Sequence, residues 1–490
     1  MANRFLAFDF GAESGRAVVG TLDGQKLSLE ERHRFANPNG KILGRLHWNL
    51  LSQWEEIKAG LRKSAAGGPL AGIGVDTWGV DFGLLDGDGS VMGNPVMYRD
   101  SRTDKTMPKA FARVPSQRIY EVTGIQFMPF NTLFQLLAMA EQTPAELAAA
   151  KTLLFMPDLF AYLLSGVARA ELSIASTSQM YDPRGRRWAA DLLKEFSLPA
   201  HILPPIVSCG TVLGPMRDGV AGDCGISAAP VIATAAHDTA AAVAAVPASG
   251  DSWCYISSGT WSLMGVELDE PLINEKGLAY QYTNEVGVEG KIRFLKNIMG
   301  LWLVQECRRH WQREGTEHSY ADLTAMAERA EPFIALINPD HGPFLSPGDM
   351  VGKIDRYCTK TSQRTPRTHG EYVRACLEGL ALTYRRTLEG MENVLGRRIE
   401  VIHIVGGGTQ NQLLCQMTAD ACARTVITGP VEATSIGNIL TQAMAVGLIR
   451  NLAEARAVVR ESFDVKTYTP GKTSDWQKAY GRYVDLVKAS

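Results

Sequence analysis

Residues 230–246, PVIATAAHDTAAAVAAV, decide how this chain is read. The run opens with apolar residues over a length that suits a buried strand, turns at His237-Asp238-Thr239, and continues as an alanine-rich helix. A carboxylate on such a turn stands at the carboxyl end of a strand, where α/β proteins bind ligands, and at the positive end of a helix. Asp238 therefore has two readings. It caps the helix, which aspartate does well, with His237 as a packed neighbour. Or it is a catalytic base facing a ligand. The residues of this stretch leave both open.

The bulk numbers set the frame. The 490 residues are too many for one core, so two or three domains are expected. Hydrophobic residues make up 45% and charged residues 21%, the balance of a soluble globular protein. Lys and Arg number 50 against 52 Asp and Glu, and a net charge of -2 gives no reason to expect nucleic acid or an anionic membrane as partner. The N-terminal MANRFLAFDFGAESGR breaks its apolar run at Asp9 without a basic lead-in, so no signal peptide is expected. No apolar run reaches the ~18 residues of a membrane span. The eight cysteines lack CxxC spacing, which argues against a zinc site or a disulfide framework and for thiols kept reduced in a cytoplasm. Cys358 and Cys376 flank a polar segment and are the pair to check for an incidental disulfide; a polar stretch lies near 352–370.

Working outward, FLAFDFG, RAVVGTLD and KLSLEERHRF read as three strands over 5–35, with Asp23-Gly24 as a hairpin turn. LLSQWEEIKAGLRKSA (50–65) has helical spacing, and AGIGVDTWGVDFGLLD (71–86) reads as one buried strand. Residues 100–200 are expected to be mostly helical, with LLFMPDLFAYLLSG (153–166) a core helix capped near Asp158. AVPASGDSW (245–253) has the composition of a boundary, which divides the chain into 1–246 and 247–490. The second half continues as α/β, with helices over 301–311 and 371–395, the strand VIHIV before Gly406-Gly407-Gly408, and a final amphipathic helix, DWQKAYGRYVDLVKA, expected to pack back on the body. Two echoes link the halves. Asp9-Phe10-Gly11-Ala12 and Ser257-Ser258-Gly259-Thr260 each lie between two apolar strands. GIGVDTWG (72–79) and HIVGGGTQN (403–411) are each an apolar strand ending in a glycine-containing turn. Their common order points to duplicated domains.

Each motif has a plain reading beside the functional one. The loop from Asp9 to Arg16 is a tight β-turn, or a phosphate-facing hairpin whose glycines turn backbone amides toward an anion, with Asp9 near a cation. It has neither P-loop nor dinucleotide-fold spacing. Gly406-Gly407-Gly408 is a loose turn, or a place where a flat ligand meets the backbone. Trp78, Gly79 and Asp81 lie beyond a strand end, as core tryptophan and turn residues or as ligand contacts. Tyr98-Arg99-Asp100-Ser101-Arg102 reads as an internal ion-pair cluster. Asn297 and Gln305 flank the start of a helix and attract no notice alone.

Together these pieces resemble the FGGY family of carbohydrate kinases, essentially end to end. The residues that carry the likeness are FDFGAESGR, GVDTWGVDFGLLD, YRDSRT, PDLFAYLLSG, AAHDTAAAVAAVP, YISSGTWSLMGVE, KNIMGLWLVQECRR, HIVGGGTQNQLLCQMTADA and GPVEATSIGNI. The resemblance implies two α/β domains of the actin/hexokinase/Hsp70 (ribonuclease H-like) type with an active-site cleft between them, ATP and Mg²⁺ as cofactors, and a small-molecule sugar as substrate. It implies that Ala12, Glu13, Ser14, Gly15 and Arg16 contact ATP phosphates with Asp9 near the metal, directly or through water. Thr260, Gln305 and Gly407 would line the ATP site. Gly79, His237, Asp238, Thr239 and Asn297 would hold the sugar, with Asp238 as base. Glu13-Ser14-Gly15-Arg16, DTWGVD and YRDSRT point within the family to the branch that phosphorylates L-rhamnulose at its C1 hydroxyl. Sister enzymes act on L-fuculose, L-ribulose, D-xylulose or glycerol. Two departures stand out: the acidic Glu13 beside an anionic site, and Ser257 where many relatives of the wider superfamily place Asp. A chaperone-like ATPase of the same superfamily is the reading from another class, but the chain leaves no room for a peptide-binding domain. A monomer or homodimer is expected.

Overall fold

The computed structural model describes residues 2–471 and 473–489. Two compact units emerge, and neither is contiguous in sequence. The first comprises Met1–Pro247, Glu267–Leu295 and Ala433–Phe463, and the second Ala248–Val266, Lys296–Glu432 and Asp464–Ser490. The expected cut after 246 falls within one residue of the first division. Within the expected run 247–490, residues 267–295 and 433–463 pack with the first unit. The physical reason is the alanine-rich helix Asp238–Ala244, whose small side chains let the helix Ala433–Ala445 approach its backbone. At Gly437 a Cβ would lie 1.8 Å from the Ala241 carbonyl oxygen, so only glycine permits that crossing.

The first unit is organised on a six-stranded sheet in the order Thr211–Pro215, Pro230–Ala233, Gly72–Thr77, Asn3–Phe10, Ser14–Asp23, Lys26–Ala36. The last three form an antiparallel meander, with Gly24 at φ 59 in the Asp23-Gly24 turn as its chemistry demands. Asn3–Phe10, Gly72–Thr77 and Pro230–Ala233 run parallel to one another. Phe8, Phe10, Ile73, Val75 and Val231 are buried in the core of this unit. A largely helical region between 100 and 200 has its own core around Phe134, Leu153, Phe155 and Leu192.

Two local expectations are corrected. Residues 71–86 are not one strand. Gly72–Thr77 stops, and Phe82–Leu85 pairs elsewhere, with Thr152–Phe155. The break holds Val80 at φ 70 and the buried carboxylate of Asp81, whose polar demands no strand ladder meets. The second concerns 153–166. Its first residues belong to the strand Thr152–Phe155, and the helix Met156–Ser165 begins at Phe155 without a side-chain cap. Asp158 instead accepts from the Glu171 backbone N–H at 3.0 Å.

The second unit repeats the same strand logic. Trp253–Ser258 pairs antiparallel with the strand that begins at Trp261, and parallel with Val401–Val405. Val401–Val405 runs parallel to Thr425–Thr428, which pairs antiparallel with Lys466–Tyr468. The hairpin-then-parallel order of the first unit is thus reproduced, as the two sequence echoes require. The polar stretch near 352–370 is half helix, Met350–Lys360, held by buried Ile354, Tyr357 and Cys358. The final helix packs back: Tyr483 shares a 2.7 Å hydrogen bond with Thr383, and Trp476 meets Phe333 edge-on. All eight cysteines are free thiols, so Cys358 and Cys376 are not bridged. No helix among the described residues is long and apolar enough to cross a membrane.

Candidate active site

Three aspartates stand at the carboxyl ends of three neighbouring parallel strands in the first unit. Asp9 is near the end of Asn3–Phe10, Asp76 is its register partner on Gly72–Thr77, and Asp238 follows Pro230–Ala233. Neighbouring strands lie about 4.8 Å apart, so the pairing brings the Asp9 and Asp76 carboxylates into one another's field. Asp9 Oδ2 meets Arg16 Nε at 3.1 Å and accepts from Ser435 Oγ at 3.2 Å. Asp76 Oδ2 accepts from Asn438 Nδ2 at 2.6 Å, while its buried Oδ1 has no hydrogen-bond partner among the described residues. Burial, and then Asp9, push Asp76 well above the usual carboxylate range, against the pull of Asn438; Asp238 adds a further push.

Asp238 is not the helix cap. It is the first residue of Asp238–Ala244, and His237 occupies the cap position. Its Oδ1 accepts from Thr239 Oγ1 at 3.0 Å and lies 3.4 Å from His237 Nε2. The side chain is one-third exposed, where a cap buried in a core would be closed off. Burial raises its carboxyl above the ordinary value, His237 opposes that, and Asp9 adds to it. Gly79 belongs to the same place: a Cβ there would sit 3.3 Å from Thr177 Oγ1 and 3.4 Å from His237 Nε2. Thr77 and His237 form a parallel bridge that brings this turn to Asp238.

The loop before Arg16 is a tight turn closed by a 2.9 Å bond from Gly11 N to Ser14 O. The carbonyls of Gly11 and Glu13 are both tied back to Asn37, by its side-chain Nδ2 at 2.8 Å and its backbone N–H at 2.9 Å. That directs these acceptors away from any anion on the other side. Ala12 is half-buried, Glu13 and Ser14 are exposed, and Gly15 lies against the Phe35 ring, which a Cβ would strike at 2.4 Å.

Of the two readings open for Asp81, the hydrogen bonds favour the structural one. Its Oδ2 accepts from Trp48 Nε1 at 2.7 Å, Trp78 Nε1 at 2.9 Å and the Tyr98 N–H at 3.1 Å, and its Oδ1 from Gln135 Nε2 at 3.1 Å. Burial pushes it up to about 6, with these four donors pulling the other way. It anchors the turn that presents Gly79. The 98–102 run is not a cluster closed on itself. Asp100 pairs with Arg45 at 3.1 Å, Arg102 donates to Gln135 at 2.6 Å, and Arg99 lies over the Tyr98 ring.

In the second unit, Thr260 and Gly259 accept from the backbone N–H groups of Gly300 and Leu301 at 3.1 and 3.0 Å, which joins the Ser257–Thr260 turn to the start of the helix Trp302–Arg313. Gln305 is on that helix, and its buried Oε1 has no partner among the described residues. Gly408 lies so close to Ser258 that a Cβ would be 2.0 Å from its Oγ; Gly407 beside it is exposed. Thr260 and the Gly406–Gly408 turn thus meet around residues 258–260, and the helix that carries Gln305 starts there. Asn297 lies on the strand Ile292–Met299, just ahead of Gly300.

Among the described residues no group of three or more His, Cys, Asp or Glu is arranged to hold a metal by itself. Asp9 and Asp76 nevertheless fit a magnesium ion carried on phosphate. The ion takes one or two carboxylates and completes its shell with water and phosphate oxygens, and here a buried carboxylate oxygen lacks a donor beside a second carboxylate. Asp76 is a candidate that sequence reading did not single out. Its signal was an aspartate inside an otherwise apolar strand, GIGVDTWG.

The two halves match the two models of one family. Residues 4–245 match the N-terminal domain, and residues 254–446 the C-terminal domain, of the FGGY family of carbohydrate kinases. The chain is 42% identical over 489 residues to a rhamnulokinase of Bacteroides thetaiotaomicron, with both chains covered in full. It is 39% identical over 467 residues to a rhamnulokinase of Bacillus subtilis, covering 95% of each. Among solved structures it is similar to a gluconate kinase of Lactobacillus acidophilus (TM-score 0.82, 16% identity, 100% of this chain and 98% of the other). It is likewise similar to a Plasmodium falciparum glycerol kinase with ADP (TM-score 0.78, 15% identity, 100% and 98%). At such identities the structures attest the fold.

Proposed function

The chain belongs to the FGGY family of carbohydrate kinases, and from that premise we propose that it transfers the γ-phosphoryl group of ATP to the C1 hydroxyl of L-rhamnulose, a step of L-rhamnose breakdown. The choice of sugar draws on the full-length similarity to rhamnulokinases. The observation that carries the chemistry is the placement of Asp238 beside the Asp9–Asp76 pair. Three carboxylates in one field, with Arg16 as the near cation, leave negative charge that a bound cation would balance.

Asp238 orients the C1 hydroxyl and takes its proton. An ordinary aspartate, of pKa about 3.9, is far too weak to deprotonate an alcohol outright. The proton therefore moves late, as the new P–O bond forms. Burial raises Asp238 and so improves it as a base near neutral pH. Thr239 holds its Oδ1, His237 Nε2 lies 3.4 Å from the same oxygen, and Gly79 leaves room for the sugar against His237. Asn297 is assigned to the sugar, and residues 12–16, Thr260, Gln305 and Gly407 to ATP. Asp9 and Asp76 would hold Mg²⁺, which when bound neutralises charge on the phosphate oxygens. A cytoplasmic location belongs to the same proposal, since a reducing compartment suits eight free thiols.

A coupled ADP-release assay over L-rhamnulose, L-fuculose, L-ribulose, D-xylulose and glycerol tests this reading. L-Rhamnulose should give the highest kcat/KM, with the phosphate on C1 by NMR. A higher value for another acceptor, or ADP release indifferent to sugar, overturns it.

A further inference from the structure

Behind His237, on the side away from Asp238, lies a buried ion pair that the reaction does not touch. Glu285 is on Thr283–Val286 and Arg293 on the strand beginning at Ile292, and the two are cross-strand partners. Arg293 is fully buried and Glu285 nearly so. Arg293 Nη2 lies 3.2 Å from Glu285 Oε2, 3.2 Å from the Val286 carbonyl oxygen and 3.1 Å from His237 Nδ1. His237 Nδ1 is 3.3 Å from Glu285 Oε2.

A guanidinium nitrogen donates and never accepts. Nη2 carries two hydrogens. One goes to Val286 O, which Nε of the same side chain also approaches at 3.3 Å, and the other points at Nδ1. With Nδ1 as that acceptor, a neutral imidazole carries its proton on Nε2; Glu285 Oε2, 3.3 Å from Nδ1, is the acceptor that favours the other tautomer once the guanidinium is gone. Nε2 is the nitrogen 3.4 Å from Asp238 Oδ1 and 3.4 Å from where a side chain at Gly79 would begin. Glu285 balances the buried guanidinium and leaves the imidazole without a charge to neutralise.

We propose that Arg293 and Glu285 are positioning residues that hold His237 in its Nε2–H tautomer, so that its proton is offered to Asp238 Oδ1 and to a sugar hydroxyl in the space beside Gly79. With Thr239 Oγ1 donating to Oδ1 and His237 Nε2 facing the same oxygen at 3.4 Å, Oδ2 is left to the reacting hydroxyl. This rests on reading Asp238 as the base.

The geometry also says what happens when the guanidinium goes. In Arg293→Met, Glu285 Oε2 becomes the only charged group at Nδ1 from this pair, and it can only accept. The proton should move to Nδ1, turning the Nε2 lone pair against Asp238.

The test is ¹⁵N NMR of the histidine ring nitrogens in the full-length, sugar-free protein at a pH where the ring is neutral, with His237 assigned from its loss in His237→Gln. Wild type should show the Nε2–H tautomer, and Arg293→Met the Nδ1–H tautomer, with kcat down about tenfold. Arg293→Lys, which keeps a donor and the charge, should restore Nε2–H and most of the rate. A wild-type ring protonated on Nδ1, or a tautomer unmoved in Arg293→Met, overturns the proposal. Should Arg293→Met fail to fold, the wild-type spectrum alone decides. Failure of the base assignment looks different: Asp238→Asn would then turn over normally while the ring stayed Nε2–H.

Discussion

Asp238→Asn separates chemistry from structure because the substitution is nearly isosteric. The asparagine carbonyl oxygen can still accept from Thr239 Oγ1 and face His237 Nε2, so the contacts at 3.0 and 3.4 Å survive. What disappears is the charge and the basic site. General-base assistance is worth about 10²–10⁴-fold, or about 3–5 kcal/mol of barrier, and kcat should fall by that factor. Stability should move the other way. The native pKa of Asp238 is raised, by burial and by Asp9, so the folded state holds this proton more tightly than the unfolded chain. Wild type therefore loses stability as pH rises from the ordinary carboxylate range toward the raised value, and the asparagine variant does not. Coupled ADP release gives the turnover, calorimetry gives nucleotide affinity, and melting curves from about pH 4 to pH 8 give the stability difference. The expected pattern is a loss of turnover with nucleotide affinity kept, and a melting temperature at or above wild type at neutral pH. Turnover within about tenfold of wild type would refute the base assignment. Lost turnover together with a large loss of stability would refute the claim that the two are separable.

Three other variants probe the surroundings. Asp81, pushed up to about 6 by burial, should make the protein less stable as pH rises from about 4 to about 6, by about 3 kcal/mol in all; Asp81→Asn should flatten that segment in chemical unfolding, and an unchanged slope would count against it. Asp76→Asn keeps an acceptor for Asn438 but removes a carboxylate from the pair with Asp9, so the Mg²⁺ concentration for half-maximal activity should rise about tenfold or more; an identical titration would remove Asp76 from the site. Gly437→Ala would force a Cβ to 1.8 Å from the Ala241 carbonyl oxygen. It should cost about 3 kcal/mol or more in urea unfolding and shift the helix that begins at Asp238, with turnover reduced; a wild-type midpoint would refute a close crossing at Gly437.

Much of this protein was legible because its signals are local. Alternation and turn chemistry located the first three strands and the Asp23-Gly24 hairpin. Alanine spacing located the helix after Asp238, and the two echoes foretold the repeated hairpin-then-parallel pairing of the two units. The motif residues of the family were likewise readable one by one. Other features depend on which distant segments share a face. Asp76 becomes part of the site only because Gly72–Thr77 pairs with Asn3–Phe10 in the register that sets it beside Asp9. The run 71–86 looked continuous because it is mostly apolar, yet four donors, three of them from other segments, converge on Asp81 beyond the point where the strand Gly72–Thr77 ends. The helix Ala433–Ala445 carries Ser435 and Asn438 to Asp9 and Asp76 from the far end of the chain, and Arg293 and Glu285 reach His237 across a hairpin. The sequence by itself determined most of the elements, because propensity and periodicity act over a few positions, and its family resemblance named the candidate site residues. The tertiary structure alone decided which carboxylates share a field and which proton His237 offers, because burial and long-range pairing set those.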